Sequence, residues 1–575
     1  MTSKEVLVIF KTHLDIGFTD YAENVIERYM KDFIPNAIRV GYELKDTATP
    51  FRWTTGSYLI WEALKRDTTG RVEAAIRDGI LNWHALPFTT HTETMNERLF
   101  REGLAVSKKL DARFGRKTTA AKMTDVPGHT AGMLPALSEH GVQFLHIGVN
   151  PATPLPPVPP LFRWTNGKDD LIVMYQGDYG LQDKIGNTVI YFAHTHDNCG
   201  PQSADEIIAI YEKIAEEYPG YTLRAATVDD IAACACTLTD LPVVRGDIGD
   251  TWIHGVGTDP QKVSRYRKLL RHIEGMKELP CDLTDHLLLV PEHTWGMNIK
   301  RYLRDTEHFG HDELDKIGED RAVVERSWEE QRDYVRAAEC ALGVTSDYPV
   351  EKPDLADYTE TVLPEKATVT IEWELFDCED YDRYKQDYLR SYVDWAILDF
   401  MKVGLPHYEG GVFTAHIDRA YKHGEKKLLI YKFDENATKK YGLPYFTVET
   451  EDEIVTVKWF GKKPSRLPQA FWLKFEEQEE KWELSKMGNL WVKPAELIGS
   501  PFISAIDKGV RNETTYIESL DAALVAPYGK RLLRYGEERG NEDLYFNLYN
   551  NIWNTNFPLW YGDDGLFRFI MHKNK

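Results

Sequence analysis

Near its start the chain reads Val6-Leu7-Val8-Ile9-Phe10-Lys11-Thr12-His13-Leu14-Asp15. The first five of these residues form a continuous apolar run, which is typical of a strand buried on both faces in a parallel sheet. Because side chains alternate along a strand, His13 and Asp15 point to one side and Leu14 to the other. An imidazole and a carboxylate therefore meet just beyond the carboxyl end of a buried strand, where α/β folds build their sites. The alternative is a structural histidine beside a capping aspartate.

Segments typical of strands and helices alternate along the first 245 residues. After the first strand, further strands are predicted at residues 51–55, 79–86, 121–125, 142–147, 171–175 and 188–192. A helix is predicted over residues 21–44, where Val25, Tyr29 and Phe33 have helical spacing and the phase becomes less regular beyond them. Alternating strands and helices predict a mostly parallel sheet, which is either open or closed into a barrel.

The remaining chain changes its pattern twice. From residue 246 to 345 helical spacing dominates: Asp259 and Pro260 begin one helix, and Gly343 ends a longer one. From residue 346 to 575 apolar residues recur at every second position, as in Val369 and Ile371. The predicted fold class is therefore a multidomain α/β plus β protein. Its α/β domain spans residues 1–245, its helical bundle 246–345 and its β-sandwich 346–575.

The composition describes a globular protein and limits its partners. Of the 575 residues, 42% are hydrophobic and 12% aromatic, which is enough for several large cores. The formal net charge of −22 argues against nucleic acid and anionic membranes as partners, because both attract basic surfaces. No apolar run approaches the length of a membrane span. A small neutral or cationic substrate is compatible with this charge.

The cysteines and the first residues indicate a compartment. The six cysteines are scattered and form neither a disulfide framework nor a Cys-x-x-Cys metal pattern. No charged leader with an apolar segment and a cleavage site precedes the first strand. We therefore expect reduced thiols and a cytoplasmic location.

Three later segments also carry chemically useful side chains. They are Thr124-Asp125-Val126-Pro127-Gly128-His129, His194-Thr195-His196-Asp197-Asn198-Cys199-Gly200-Pro201 and Thr251-Trp252-Ile253-His254-Gly255-Val256-Gly257-Thr258. In the first, Asp125 ends a strand, although it can also simply cap the next helix. The second is a polar loop after a strand and is also compatible with a plain turn. The third opens the helical region, where a structural role for His254 is the alternative.

Taken in this order, the segments resemble those of glycoside hydrolase family 38, the zinc-dependent α-mannosidases. The family begins with a strand that ends in His-x-Asp, here His13 and Asp15, and Phe18 stands where the family commonly has a tryptophan. The turn that starts at Asp125 is similar to the family's nucleophile turn, and His254 loosely matches its last metal ligand. The family's architecture of a (β/α)7-type barrel, a helical bundle and a β-sandwich also resembles the order of patterns described above.

The resemblance implies a metal site and a reaction. One zinc ion per chain would be held by His13, Asp15, Asp125 and His254. Asp125 would also be the nucleophile of a retaining glycosidase that acts on α-mannoside-like or related sugars. In such an enzyme a second carboxylic acid protonates the leaving oxygen.

The resemblance also implies the remaining site residues. By its position between the nucleophile turn and the last metal ligand, Asp197 is the predicted general acid. Asp178 and the pair His194 and His196 are the alternatives, since an imidazolium also donates a proton near neutral pH. Substrate contacts are expected from Phe18, His129 and Trp252.

Two other classes of function share parts of this pattern. A metal-dependent carbohydrate deacetylase or lyase also places His and Asp ligands at strand ends, but it does not need Asp125 as a nucleophile. A non-catalytic carbohydrate-binding protein keeps the aromatic residues and dispenses with the second carboxylate. In each case a carbohydrate is the expected partner. Oligomers are common in the resembling family, so a homo-oligomer is expected as well.

Overall fold

The computed structural model describes residues 4–249, 251–476, 481–499, 502–530, 532–535 and 543–573. Its first strand, β1 (Glu5–His13), contains the apolar run, and each residue from Val6 to Phe10 is completely buried. Val6, Val8 and Phe10 lie in one hydrophobic core, while Leu7 and Ile9 lie in another. The strand is apolar throughout because both of its faces are covered.

The N-terminal region alternates strands and helices. Its other strands are β2 (Trp53–Gly56), β3 (Leu81–His84), β4 (Ala120–Asp125), β5 (Phe144–Val149), β6 (Leu161–Thr165), β7 (Asp170–Gln176), β8 (Asp183–Ile185), β9 (Thr188–Asp197), β10 (Thr222–Ala225), β11 (Val243–Arg245) and β12 (Ile248–Gly249). Its helices are α1 (Ala22–Arg28), α2 (Ile34–Leu44), α3 (Ser57–Arg66), α4 (Arg71–Arg77), α5 (Glu97–Phe114), α6 (Leu134–His140), α7 (Ala204–Glu217) and α8 (Val228–Ala235). A π-helical turn, Tyr29–Phe33, joins α1 to α2 and explains the irregular phase of the predicted helix.

All of these strands except β12, which pairs with a strand of the C-terminal region, form two mostly parallel sheets. The first has the order β3-β2-β1-β9-β8, with β10 also paired to β1, and the second has the order β11-β6-β7-β5-β4. The hydrophobic core that contains Leu7 and Ile9 of β1 also contains Phe144 of β5 and Met174 of β7, so it lies between the two sheets. The edges β3 and β4 approach each other, where Ala85 N donates to Ala120 O at 2.9 Å. Strand pairing within the described ranges does not close the two sheets into a barrel.

The next region is helical. It contains α9 (Pro260–Glu274), α10 (Ile299–Tyr302) and α11 (Glu319–Leu342), with 3₁₀ turns at Thr251–Thr258, Leu287–Leu289 and Leu314–Ile317. The Asp259 side chain caps α9 by accepting from Lys262 N at 3.0 Å, and Pro260 occupies the first helical position. Gly343 ends α11 with a φ of 65°, which glycine adopts without strain.

The C-terminal region consists mainly of antiparallel strands. These are β13 (Thr359–Thr361), β14 (Val369–Leu375), β15 (Gly411–Thr414), β16 (His416–His423), β17 (Lys426–Lys432), β18 (Tyr445–Glu451), β19 (Ile454–Phe460), β20 (Gln469–Phe475), β21 (Glu483–Lys486), β22 (Leu490–Val492), β23 (Ile498–Gly499), β24 (Ser504–Ala505), β25 (Gly509–Arg511), β26 (Thr515–Ser519), β27 (Leu524–Ala526), β28 (Tyr545–Asn550) and β29 (Gly565–Lys573). The helices are α12 (Cys378–Tyr388), α13 (Asp394–Phe400) and α14 (Glu435–Tyr441).

Most of these strands belong to two sheets that share one core. In the described part of the chain a ten-stranded sheet has the order β13-β16-β17-β18-β19-β29-β26-β25-β21-β22, and a six-stranded sheet has the order β15-β14-β20-β28-β27-β24. Ile371 and Trp373 of β14 pack in the same core as Val457 and Trp459 of β19. Their alternation, noted in the sequence, therefore reflects two sheets packed face to face. Across the described residues, no helix has both the length and the hydropathy that a membrane span requires.

A buried ion pair ties the C-terminal sheets to the N-terminal region. Lys486 at the end of β21 lies 2.7 Å from Glu93 and 3.4 Å from Asp247, and its side chain is completely buried. Its ammonium also donates to Ser504 Oγ and to the Ala505 carbonyl. Burial is tolerated here because every charge in the group has a partner.

We predict that Lys486→Met destabilises the protein by about 3–5 kcal/mol, because Glu93 and Asp247 would remain buried without their cation. Lys508→Met is the matched control, since Lys508 pairs with Glu274 at the exposed surface and its loss should cost at most about 1 kcal/mol. Urea unfolding measures both values. Equal effects of the two substitutions would contradict the assigned role of Lys486.

Candidate active site

The carboxyl ends of β1 and β9 bring two of the predicted side chains together. The strands pair in parallel and in regular register as far as Lys11, which lies opposite His194. One extra residue in β9 then places Asp197 opposite His13. A bulge of this kind changes the face to which the following side chains point. It therefore determines that Asp197, and not His196, lies opposite His13.

His13, Asp15, Asp125 and His293 form a compact group of donor atoms, which we call the donor group. The Nε2 atoms of His13 and His293 lie 3.1 Å apart. Asp15 Oδ1 lies 3.2 Å from His13 Nε2 and 3.0 Å from His293 Nε2. Asp125 Oδ2 lies 3.7 Å from His293 Nε2. Asp15 Oδ2 is buried and has no hydrogen-bond partner among the described residues. His13, Asp125 and His293 lie close enough to share one divalent metal ion, and Asp15 lies next to both imidazoles; a second set of the same kind joins His13, Asp15 and Asp197.

The far ring nitrogen of His13 lies at hydrogen-bond distance from a hydroxyl group, and that of His293 lies beside a carboxylate without hydrogen-bond geometry. Nδ1 of His13 lies 2.8 Å from Thr124 Oγ1. Nδ1 of His293 lies 2.6 Å from Glu292 Oε1. In metal sites such contacts fix the orientation of the ring and leave Nε2 for the metal. The two histidines are therefore arranged as metal ligands usually are.

Asp125 is oriented by two residues that the sequence analysis did not select. Asn150 Nδ2 donates to Asp125 Oδ1 at 3.1 Å, and the Tyr179 hydroxyl donates to the same oxygen. Asp125 has a φ of 76°, in the left-handed region that residues other than glycine seldom adopt. Strained backbone of this kind concentrates at functional sites, where the surrounding contacts hold it. One carboxylate oxygen is thus anchored, and the other faces His293.

Burial and neighbouring charges shift the pKa values of Asp15, His293 and Asp197. Burial acts to raise the pKa of Asp15, but His13 and His293 outweigh it and hold this pKa well below its usual range. Burial also acts against the charged form of His293, yet Glu292 and Asp15 raise its pKa well above the usual value. Burial raises the pKa of Asp197 to about 7, and the negative charge of Asp15 adds to the shift. Carboxyl groups in one site thus differ widely in acidity.

A cavity of about 440 Å³ opens onto the donor group. Its wall contains the carboxylates of Asp15, Asp125, Asp178 and Asp197 and the aromatic rings of Phe18, Trp252 and Trp395. Such a combination of polar and aromatic side chains suits a sugar, which presents hydroxyl groups at its edge and C–H bonds on its faces.

His254 does not join the donor group. It is fully buried, its ring centroid lies 6.2 Å from that of Trp553, and neither ring nitrogen has a hydrogen-bond partner among the described residues. The physical reason is local packing: Asn550 Nδ2 from β28 donates to the His254 carbonyl at 3.0 Å and holds this turn against the C-terminal sheet. Burial lowers the pKa of His254 to about 3. The histidine that the helical region contributes is instead His293.

Only some of the residues predicted to contact substrate line the cavity. Phe18 and Trp252 lie in the wall of the cavity, whereas His129 does not line it. His129 is buried, its Nδ1 lies 3.4 Å from Thr92 Oγ1, and its backbone pairs with Ile248. Both alternative acids on β9, His194 and His196, line the cavity, as does Asp178. Burial lowers the pKa of His194 to about 3, which leaves this imidazole uncharged near neutral pH.

Sequence reasoning missed His293, Asn150 and Tyr179. The signal for His293 was the polar segment Glu292-His293-Thr294, which is separated by Pro291 alone from the apolar run Leu287-Leu288-Leu289-Val290. Asn150 and Tyr179 both follow strands of the second sheet, so their positions could have been found by examining every strand end. Lys300, Trp395 and Asp399 come to the cavity from the helical and C-terminal regions without a comparable signal.

Comparisons with known proteins bear on the fold of the chain. A family model described as "Domain of unknown function (DUF5054)" matches residues 256–353. No curated protein matches the chain. Among solved structures, the chain is similar to an alpha-mannosidase from Enterococcus faecalis V583, with a TM-score of 0.65 and 10% identity, over 100% of this chain and 87% of that one. It is also similar to a protein in glycosyl hydrolase family 38 from Enterococcus faecalis, with a TM-score of 0.57 and 9% identity, over 100% of this chain and 86% of that one. At these identities the similarity shows a shared fold.

We predict that His293→Ala loses bound metal, whereas His254→Ala retains it. The first substitution removes a donor atom from the group, and the second removes a ring that packs against Trp553. The metal content per chain is measured by inductively coupled plasma mass spectrometry after gel filtration. Circular dichroism confirms that both variants are folded. Full metal content in His293→Ala, or loss confined to His254→Ala, would contradict the donor group.

Proposed function

We propose that this chain is a metal-dependent, retaining glycoside hydrolase that acts on α-mannosides or related sugars, with zinc as its metal. The observation that carries the proposal is the position of Asp197, whose carboxyl group lies in the same cavity wall as that of Asp125. Retaining glycosidases need two carboxyl groups with different roles. The similarity in fold to an alpha-mannosidase supports the same reaction class.

The donor group accounts for the metal requirement. His13, Asp15, Asp125 and His293 would hold the ion, with Thr124 and Glu292 behind the two imidazoles. When bound, zinc supplies a Lewis acid that binds adjacent sugar hydroxyls and helps to stabilise the charge of the transition state. The chain's own residues perform the bond-breaking steps.

Asp125 is the proposed nucleophile. Its Oδ1 is fixed by Asn150 and Tyr179, which limits the motion of the carboxylate and orients the other oxygen. Attack on the anomeric carbon forms a covalent glycosyl ester as the bond to the leaving oxygen breaks, and water then hydrolyses this ester. The two hydrogen bonds lower the reorganisation needed for attack, because the carboxylate is already held in place.

Asp197 is the proposed general acid. It lies in the cavity wall, close enough to Asp125 for the charge of Asp125 to raise its pKa. The acid protonates the leaving oxygen in the first step and, as a carboxylate, takes a proton from water in the second. The uncharged His194 is less suited to this role than Asp197. Phe18, Trp252 and Trp395 are proposed to contact the sugar ring.

The site also bears on the domain organisation. We propose that the chain has three domains, which span residues 1–245, 246–345 and 346–575. The strands of the first domain are proposed to form a barrel. His13, Asp15, Asp125 and Asp197 come from the first unit and His293 from the second, while Trp395 comes from the third. The complete cavity therefore requires all three units.

We predict that the hydrolysis rates of Asp125→Asn and Asp197→Asn depend differently on the leaving group of the substrate. Asp125→Asn should abolish hydrolysis of every aryl α-mannoside, because no glycosyl ester forms. Asp197→Asn should slow substrates with poor leaving groups by about 10²–10⁴-fold and largely spare a dinitrophenyl glycoside, whose departure needs little protonation. Rates are measured by release of the phenol, with metal content determined for each variant.

Asp178→Asn is the matched control, because Asp178 lies in the same cavity and is the rival acid. It should keep its activity on both substrate classes. If Asp178→Asn shows the leaving-group pattern and Asp197→Asn does not, the assignment of the acid is wrong. A product of inverted configuration by NMR, or a fluorosugar adduct on a residue other than Asp125, would contradict the retaining mechanism. Release of acetate without glycoside cleavage would favour a deacetylase.

A further inference from the structure

Asn198, the residue that follows the proposed acid Asp197, joins two parts of the site. It is buried and lies where β9 leaves β1. The turn around it is closed by Cys199 N, which donates to the His196 carbonyl at 3.1 Å. Asn198 is the third residue of this turn and has a φ of 49°. Asparagine is among the few residues other than glycine that are enriched in this left-handed conformation, so the backbone itself favours asparagine here.

The backbone of Asn198 extends the pairing of β9 with β1 beyond the bulge. Asn198 N donates to the His13 carbonyl at 3.0 Å, and the Tyr29 hydroxyl donates to the same carbonyl at 3.2 Å. Asp197 therefore lies between two attachments to β1, which are the strand pairing before it and this hydrogen bond after it. The backbone position of the proposed acid is thus set relative to His13, a member of the donor group.

The side-chain amide of Asn198 is hydrogen-bonded at both ends to the segment that follows β1. Its Oδ1 accepts from Asp15 N at 3.0 Å. Its Nδ2 donates to the Gly17 carbonyl and to Thr19 Oγ1, each at 3.0 Å. Because Asp15 N is a donor and the Gly17 carbonyl is an acceptor, only one orientation of the amide satisfies both. A carboxylate in this place would lack the donor hydrogens, and an aliphatic side chain would lack all three contacts.

The segment that this amide holds has little regular structure of its own. Residues 14–17 belong to no helix or strand, and Phe18 forms only an isolated bridge to Met297. The segment nevertheless carries Asp15, a member of the donor group, and Phe18, which lines the cavity and has a φ of 61°. Backbone in this sparsely populated conformation persists only where surrounding contacts hold it. The Asn198 amide supplies three of these contacts.

We propose that Asn198 is a positioning residue, which fixes the distance between the proposed acid Asp197 and the metal donor Asp15. The inference rests on the proposed function, because it assigns Asn198 a task within that reaction. A covalent bond joins Asn198 to Asp197, and a hydrogen bond joins its amide to the peptide nitrogen of Asp15. Loss of the amide should therefore disturb metal binding and proton donation together. A displacement of about 1 Å at a reacting group lowers a rate by about 10²-fold.

The first readout is the affinity of the full-length protein for zinc, measured by competition with a chelator and without substrate. The substitution Asn198→Gly removes the amide and keeps a residue that adopts the same φ without strain. Asn489→Gly is the matched control, because Asn489 also has a left-handed φ, of 59°, but is exposed and does not line the cavity. We expect Asn198→Gly to weaken zinc binding by about 10–100-fold, as the loss of residues behind metal ligands usually does. Asn489→Gly should leave it unchanged.

The second readout is the dependence of the rate on the leaving group, which separates positioning from simple destabilisation. With saturating zinc, kcat/KM is compared between an aryl α-mannoside with a poor leaving group and a dinitrophenyl α-mannoside. We expect Asn198→Gly to lose about 10²-fold on the first substrate and less than about tenfold on the second, because a displaced Asp197 affects only a departure that needs its proton. A variant that is merely less stable loses the same fraction on both substrates.

Unchanged zinc affinity in Asn198→Gly, or equal losses on the two substrates, would overturn the inference while the proposed function stands. A wild type that cleaves no glycoside would overturn the proposed function, and zinc affinity would then decide alone whether Asn198 positions Asp15. If Asn198→Gly does not fold, Thr19→Val takes its place, because it removes one partner of the amide and preserves the shape of the side chain. This variant should shift both readouts in the same direction by a smaller factor, and no shift in either would contradict the role of Asn198.

Discussion

The parallel pairing of β1 with β9 is the constraint on which the site depends. Both strands lie in the interior of the N-terminal region, and their register is regular up to the pair Lys11 and His194. The single extra residue that follows turns Asp197 towards the end of β1. Without that bulge, the regular register of the two strands would place His196 opposite His13. The cavity would then lose the carboxylate of Asp197 at this position.

The sequence predicted most of the first sheet and much of the site. The apolar run of β1 was identified from its composition. The Asp125 turn was identified because α/β folds build their sites at the carboxyl ends of strands. The strand at β9 was predicted to end near residue 192, whereas it continues to Asp197. The extension is polar, so its pairing with β1 leaves no apolar periodicity in the sequence.

His293 was missed for a different reason, because its polar segment does not show which distant residues it meets. Its segment has no regular structure and is positioned by distant backbone contacts: His293 N donates to Thr89 O, Phe18 N donates to Gly296 O, and Trp295 N donates to Asn556 Oδ1. A local pattern cannot reveal contacts that join three regions of the chain. His254 had the more suggestive sequence, but packing against the C-terminal sheet directs it elsewhere. The choice between the two histidines is thus made by tertiary structure.

The proposed function depends on one metal site formed by His293 with His13, Asp15 and Asp125. The most direct test is a crystal structure of the protein loaded with zinc, with anomalous data on both sides of the zinc edge. We expect one strong peak bonded to the Nε2 atoms of His13 and His293 and to oxygens of Asp15 and Asp125. A peak bonded to His254, or no zinc at the donor group in fully folded protein, would contradict it.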